Sequence, residues 1–419
     1  MARYERDDEF WDITKDGLTI TITTGKIGEA GTTTVEQLAT AAMVSTRWNV
    51  LQNQQTRAGF KIYKPPVEAA LPTEASLPPP PIMFDARNPE LERAIEQDPE
   101  GDAAYEVYGD WLQSQGDPRG RLIGLEVAAR GKPFGDKHHV AVDRLAANNQ
   151  EYLLGSFAKR ARGHSLLLHW GFVRAIELIS GRLARPLAKA LALPGSRFVT
   201  RIHIDAEGDD AKHDAVAKDL ADAIMVIGTK SPPTLRHLVI GGDTKLESLD
   251  PLVACLPQLR TFGLINVQDR QLSVSPACLG PLVRSPWPRL ETLSLELLAG
   301  SCKLDHLMPL LIRSDLPKLV ELSFRTTFDD SLAKALASSP LAAQIERLTF
   351  EAPGGEHTTG RPIGDALAAV LVGHRDRFPK LRELGIPHNR LSPAALASLQ
   401  MFGKVRDADG QARYEHSSE

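Results

Sequence analysis

Cysteine is scarce in this 419-residue chain: Cys255, Cys278 and Cys302 are the whole set, and no two form a CxxC pair. An odd, sparse set builds neither a disulfide framework nor a zinc site, and it suits a reducing cytoplasm. A basic excess is missing too. The 49 Lys and Arg are outnumbered by 53 Asp and Glu, a formal net charge of -4, which argues against a nucleic-acid coat or a membrane-surface protein. No apolar run approaches the ~18 residues of a membrane span. The N-terminal MARYERDDEF is charged from the start and has no apolar core of a signal peptide. The expectation is a cytoplasmic chain with no membrane contact. HExxH and GxSxG are absent, and the acidic DAEGDD at Asp205 to Asp210 lacks the ligand spacing of an EF-hand. His138 and His139 are adjacent and would point apart on a strand or a helix, so they do not share a metal. Nothing calls for a cofactor, and no catalytic residue is expected.

The stretch TTGKIGEAGTT, residues 23 to 33, has the look of a phosphate cradle. A P-loop would need Ser or Thr after Lys26 and a glycine five residues before Gly25, where Ile27 and Ile20 stand. A dinucleotide loop needs GxGxxG, and the spacing here is GxxGxxG. These glycines read better as backbone positions where a β turn passes close to its neighbour.

Proline marks the main boundary. Seven prolines fall among the eighteen residues Lys64 to Pro81, a composition that favours extended, solvated backbone and reads as a linker. Before it, FWDIT and LTITIT alternate as strands, and the run from Val35 to Gly59 carries helical spacing with Gly59 as its stop. After it come helices. Asn88 before Pro89 caps the first; the second has Asp102 as cap, Gly116 as stop and an apolar face of Ala104, Val107, Tyr108, Trp111 and Leu112. PRGRLIGLEVAARG is a third helix, and a fourth is expected over Val140 to Ala158.

A repeat then takes over. The unit LxxLxL, with apolar substitutions, starts at Val173, Val199, Leu235, Leu259, Leu290, Leu319, Ile345 and Leu381. The intervals run from 24 to 36 residues, each with room for a helix, and prolines in LPQL, WPRL, LPKL and FPKL break the preceding helix. One short strand and one helix per unit is the leucine-rich-repeat period.

The first module resembles the WGR domain, on FWDI at Phe10 to Ile13, GKIGEAG at Gly25 to Gly31 and AGFKIY at Ala58 to Tyr63. Its signature triplet reads Thr24-Gly25-Lys26 in place of Trp-Gly-Arg. In the best-known members, the DNA-dependent poly(ADP-ribose) polymerases, that Trp and Arg help hold a DNA end. The helical stretch resembles the bacterial repeat-companion domain, on YGDWL at Tyr108 to Leu112, GDPRG at Gly116 to Gly120 and HWGFVRAIEL at His169 to Leu178. Within it, Asp110, Asp117 and Arg119 read as a helix-terminus charge network. The array resembles ribonuclease-inhibitor-type leucine-rich repeats, with LGIPHNRLSPAALASL as its best copy and Asn389 as the turn asparagine.

The expected fold class is α/β: a leucine-rich-repeat solenoid at 173–401, preceded by a small helical companion domain at 83–172 and a small α+β WGR-like domain at 1–64. The proline-rich linker would span 65–82 and a C-terminal tail 402–419. The expected function is non-enzymatic: a modular adaptor taking a protein partner on the concave repeat face. Alternatives are an inhibitor or immunity protein that clasps a toxin or nuclease, or, least of all, an unrecognised enzyme. In LxxLxL the leucines point inward and the residues between them outward. The outward rungs are Glu177, then Arg201, His203 and Asp205, then His237, Glu296, Glu321 with Arg325, Arg347 with Glu351, and Glu383. Small residues such as Thr261, Gly263, Thr292 and Ser294 fill the middle, so Arg201, Arg325 and Arg347 are the expected anchors. In the first module the run from Gln37 to Pro66 holds no acid. Its Arg47, Arg57, Lys61 and Lys64, with Lys26 of the altered triplet, are the candidates for weak, salt-sensitive nucleic-acid binding.

Overall fold

A computed structural model of the chain describes residues 2–16, 19–27, 31–38, 41–62, 85–133, 136–158, 163–208, 213–265, 272–297, 302–326, 330–351, 364–387 and 391–406. The expected linker, Lys64, Asn389, Asp209, Asp210 and the sequence beyond 406 lie outside the described residues. The fold is mixed α/β, with thirteen α-helices among the described residues and a large, mostly parallel sheet. It divides into two units.

The N-terminal unit is an antiparallel meander. Strands β1 (Ala2–Arg6), β2 (Glu9–Asp16), β3 (Thr19–Lys26) and β4 (Thr32–Gln37) pair in succession, helix α1 (Ala41–Arg57) follows, and β5 (Lys61–Ile62) returns beside β1. Tyr4, Trp11, Ile13 and Ile20 meet Val44 and Leu51 of α1 in one apolar cluster, as strand alternation dictates. The helical spacing from Val35 overreached. Thr32 to Val35 is a β-branched run that finds a partner in β3, so the helix begins only at Ala41, and Val35 is 61% exposed. Gly59, with φ of 90°, stops the helix as expected. The close backbone approach expected of TTGKIGEAGTT is present at Gly25 and Gly31. A Cβ on Gly25 would fall 2.8 Å from Gly31 Cα, and one on Gly31 would fall 2.7 Å from both the Phe10 ring and the Thr24 carbonyl oxygen.

The larger unit opens with α2 (Pro89–Gln97), α3 (Asp102–Ser114), α4 (Pro118–Ala129), α5 (Lys137–Asn148) and α6 (Gln150–Leu154). Asn88 Oδ1 accepts from the amides of Glu90 and Leu91, as its place before Pro89 required. Gly101, not Asp102, occupies the cap of α3. The buried face of that helix is Tyr105, Tyr108, Gly109 and Leu112, whereas Val107 points to solvent. The expected fourth helix divides at Asn149 into α5 and α6.

A hairpin links these helices to the sheet. β6 (His164–His169) pairs with β7 (Phe172–Ser180) across Trp170 and Gly171, whose φ values of 54° and 67° are those of a two-residue hairpin turn. From β7 onward every LxxLxL segment supplies a strand. In chain order come α7 (Ala184–Leu191), β8 (Arg201–Ala206), α8 (His213–Lys230), β9 (His237–Gly242), β10 (Lys245–Leu246), β11 (Thr261–Ile265), β12 (Ser273–Val274) and α9 (Leu279–Arg284). Then come β13 (Thr292–Leu297), α10 (Leu304–Leu311), β14 (Glu321–Thr326), α11 (Asp330–Ala337), β15 (Arg347–Glu351), α12 (Asp365–Gly373), β16 (Glu383–Gly385), α13 (Pro393–Leu399) and β17 (Lys404–Arg406). Ten strands form one sheet in the order β17-β16-β15-β14-β13-β11-β9-β8-β7-β6, while β10 and β12 pair separately. The two late apolar positions of each unit become two buried ladders. One runs Ile176, Ile202, Leu238, Phe262, Leu293, Leu322, Leu348; the next runs Leu178, Ile204, Ile240, Leu264, Leu295, Phe324, Phe350. Each such side chain contributes about 1.5–3 kcal/mol by leaving water.

Helices and sheet are joined by buried charge. Arg119, 1% exposed, donates to both oxygens of Asp117 and to Asp85 Oδ1, and its guanidinium lies 5.1 Å from the Phe172 ring centre. Tyr152 also donates to Asp117. Asp85 in turn meets Arg197, which reaches Glu92 at 2.8 Å and the Tyr108 hydroxyl at 3.0 Å. The sequence reading of Asp117 and Arg119 as a charge network is therefore correct, although Asp110 is exposed and stands outside it. Around it pack Tyr105, Tyr108, Trp170, Phe172 and Phe198.

Glu126 fastens the hairpin turn, accepting the Trp170 amide at 2.6 Å. Burial pushes its carboxyl up to about 7, although the Trp170 and Gly171 amides pull the other way. The folded chain then holds this proton more tightly than the unfolded chain does. The contribution is fully present below the unfolded pKa near 4.5 and is lost as pH rises through about 7. Urea denaturation of wild type and Glu126→Gln at about pH 5 and about pH 8 should show wild type losing roughly 2 kcal/mol relative to the variant at the higher pH. Parallel pH profiles would refute this.

Candidate functional site

Alternation along the strands puts rows of side chains before, between and after the two apolar ladders, on the opposite face of the sheet. The first row is Arg201, His237, Thr261, Thr292, Glu321, Arg347. The second is Glu177, His203, Val239, Gly263, Ser294, Ser323, Thr349. In the third, Glu296, Arg325 and Glu351 stand on adjacent strands. The expected rungs thus do share a face.

Their exposure differs from expectation. Arg325 is 5% exposed and sits between Glu296 at 3.2 Å and Glu351 at 3.4 Å, themselves 5% and 3% exposed. Arg347 donates to Glu321 through Nη2 at 2.7 Å and Nε at 2.9 Å. Asp205 is fully buried. His237 is engaged by Thr261 Oγ1 at 3.0 Å and by Glu100 at 3.4 Å. Adjacent strands bring opposite charges face to face about 4.8 Å apart, so these side chains satisfy one another instead of standing out to solvent. Of the three expected anchors, Arg325 and Arg347 are committed internally.

Arg201 is not. It is half-buried and makes no hydrogen bond or ion pair among the described residues. His203, two residues on, has no partner at Nε2 among the described residues, and burial followed by the charge of Arg201 pushes its pKa down to about 4. The neighbours of Arg201 are cationic as well. Arg174 donates to the Tyr105 hydroxyl and to the carbonyls of Pro99 and Phe198. Arg236 donates to the carbonyls of Pro233, Leu235 and Glu96, and Arg289 is exposed. Burial and then the charges of Arg289 and Arg260 lower the Arg236 pKa; burial chiefly lowers that of Arg174, to which Arg201 adds.

The carboxylates near this cluster are few. Arg260 meets Glu100 at 2.8 Å and Glu291 at 3.8 Å. The hydrogen bond from His237, with the charge of Arg260, holds Glu100 down at about 2 against its burial. Arg174, Arg236, Arg260, Arg289 and Glu100 were absent from the sequence-based site. A signal existed: Arg174, Arg236 and Arg260 occupy the same position of VRAIEL, LRHLVI and LRTFGL, one place before the first outward rung.

In the N-terminal unit, Arg47 is clamped in two-pronged fashion by Glu36, both contacts at 2.6 Å, from the residue just before the acid-free run. Lys26 lies 3.9 Å from Asp8. Arg57 and Lys61 are exposed, and Lys64 lies outside the described residues. Among the described residues no group of three His, Cys, Asp or Glu is placed to hold a metal ion, and no helix is long and apolar enough to cross a membrane.

No protein-family model matches the chain, and no curated protein does. Among solved structures, a protein from Bacteroides fragilis aligns over 99% of this chain and 98% of its own at 15% identity, with a TM-score of 0.40. That likeness is too loose to carry an argument.

Arg325→Glu should gather three carboxylates in a buried place and cost about 3–5 kcal/mol in urea denaturation. Arg201→Glu removes no partner and should stay within about 0.5 kcal/mol of wild type. Equal losses in the two variants would contradict the assignment of one arginine as structural and the other as free.

Proposed function

We propose that this chain is a non-enzymatic modular binding protein, an adaptor. In this reading the strand-helix units form a leucine-rich-repeat solenoid, the helices of the larger unit cap it as a repeat-companion domain, and the polar sheet face takes a protein partner. The observation that carries the reading is Arg201, a half-buried guanidinium on the open row of an in-register sheet with no counterion among the described residues. A charge in that setting has lost part of its hydration without compensation, and an incoming anion would restore it.

The first unit is a WGR-like module for a second ligand. With Arg47 neutralised by Glu36, Lys26, Arg57 and Lys61 remain, enough for a log-log salt slope of only about -2 to -3 on duplex DNA. Nucleic acid is thus a weak ligand here, and tethering to the solenoid raises its effective concentration.

Affinity capture from the native host with the tagged full chain tests the proposal. Several partners released by moderate salt, and lost with Arg201→Glu, fit an adaptor. A single stoichiometric partner that resists salt would instead make the chain an inhibitor. Capture unchanged by Arg201→Glu would remove the sheet face from the account.

A further inference from the structure

Five neighbouring strands each bring an arginine to one edge of the polar face: Arg174 in β7, Arg201 in β8, Arg236 just before β9, Arg260 just before β11, and Arg289 three residues ahead of β13. Four of the five make no ion pair with a carboxylate among the described residues; Arg260 alone does, with Glu100 and Glu291. Arg236 is buried and Arg174 half-buried, so they supply charge from beneath, and Arg201, Arg260 and Arg289 are the members a ligand reaches. Like charges held this close repel, and the fold keeps them there by hydrogen-bonding Arg174 and Arg236 to carbonyl oxygens, which fix position without cancelling charge. From this row we infer a docking site for an extended, Asp- and Glu-rich segment of a protein partner. The inference rests on the adaptor reading and names the chemistry of its partner.

Spacing favours an extended peptide. Strands lie about 4.8 Å apart, so Arg201, Arg260 and Arg289, at β8, β11 and β13, are set out over roughly 14 Å. An extended chain presents same-side residues every ~6.8 Å, so a segment of about six residues lays three carboxylates along the row. Arginine meets a carboxylate with two parallel hydrogen bonds, which a recessed guanidinium such as Arg201 can offer at one angle of approach. Beside the row run Thr261, Val239 and Gly263, uncharged and short, which leave space for the intervening side chains. A nucleic acid fits less well. Its phosphates are continuous, and Glu100 and Glu291 interrupt the row, in a chain whose net charge of -4 repels a polyanion at range.

Fluorescence anisotropy with the full chain and a labelled octapeptide of alternating Glu and Thr tests this. At about 50 mM salt the peptide should bind, and binding should weaken as salt rises. Arg201→Ala with Arg289→Ala should lower the affinity roughly tenfold or more, with an unchanged circular dichroism spectrum. Arg375→Ala, an exposed arginine outside the row, should not. No binding at low salt, or equal binding by the double variant, overturns the inference. So does tighter binding of a duplex DNA of equal charge that is lost in the same double variant, because the row would then be a nucleic-acid site. If the acidic peptide fails while host partners still depend on Arg201, the acidic-segment inference falls and the adaptor reading stands; if neither depends on Arg201, both fall.

Discussion

A guanidinium withdrawn from water has to be met by acceptors, and at Arg119 two carboxylates meet that demand and organise the junction on which the candidate site depends. Asp117 caps α4 through the Arg119 amide and grips the Arg119 side chain as well, so one carboxylate both starts the helix and neutralises the buried charge. Asp85 passes the network to Arg197 in the turn before β8, and Arg197 reaches Glu92 and Tyr108 on α2 and α3. Removing Arg119 would leave the buried Asp117 carboxylate without its cation, so helices and first strands hold their places together. Arg174 ties the α2–α3 connection at Pro99 to β7, and Glu100 in that same connection reaches Arg260 and His237. The arginine row therefore faces a fixed loop that supplies one carboxylate where several would be needed.

Along the sheet the same pairing rule gives two outcomes. Between β13 and β15 the strands bring Glu296, Arg325 and Glu351 into line, and Glu321 beside Arg347, so opposite charges consume each other and the face there is closed. Between β7 and β13 the like-charged arginines cannot do so. In-register parallel pairing sets the first result; in the second, Arg174, Arg236 and Arg260 share one position of their units, whereas Arg201 stands one place later, beside Ala175 and His237, and Arg289 precedes its unit.

Much of this was legible in the sequence. The eight LxxLxL starts each became a strand because their leucines are spaced to enter the core on alternate residues, and Asn88-Pro89 marked a helix start through capping chemistry that needs no tertiary context. Other features depended on it. Val35 has helical neighbours in sequence but a strand partner in space. Arg325 looks like any outward rung until its cross-strand neighbours are known, and the register that makes Glu296 and Glu351 those neighbours joins units about 26–29 residues apart. Arg236 and Arg260, just ahead of their strands, gain meaning only when successive units are laid side by side.

The polar face is closed by internal ion pairs at β13–β15 and open at Arg201, Arg260 and Arg289. Arginine-selective modification by phenylglyoxal, read residue by residue by mass spectrometry on the intact folded chain, tests this most directly. Arg289, Arg260 and Arg201 should be modified well before Arg325 and Arg119. Modification of Arg325 as fast as Arg201 would contradict this.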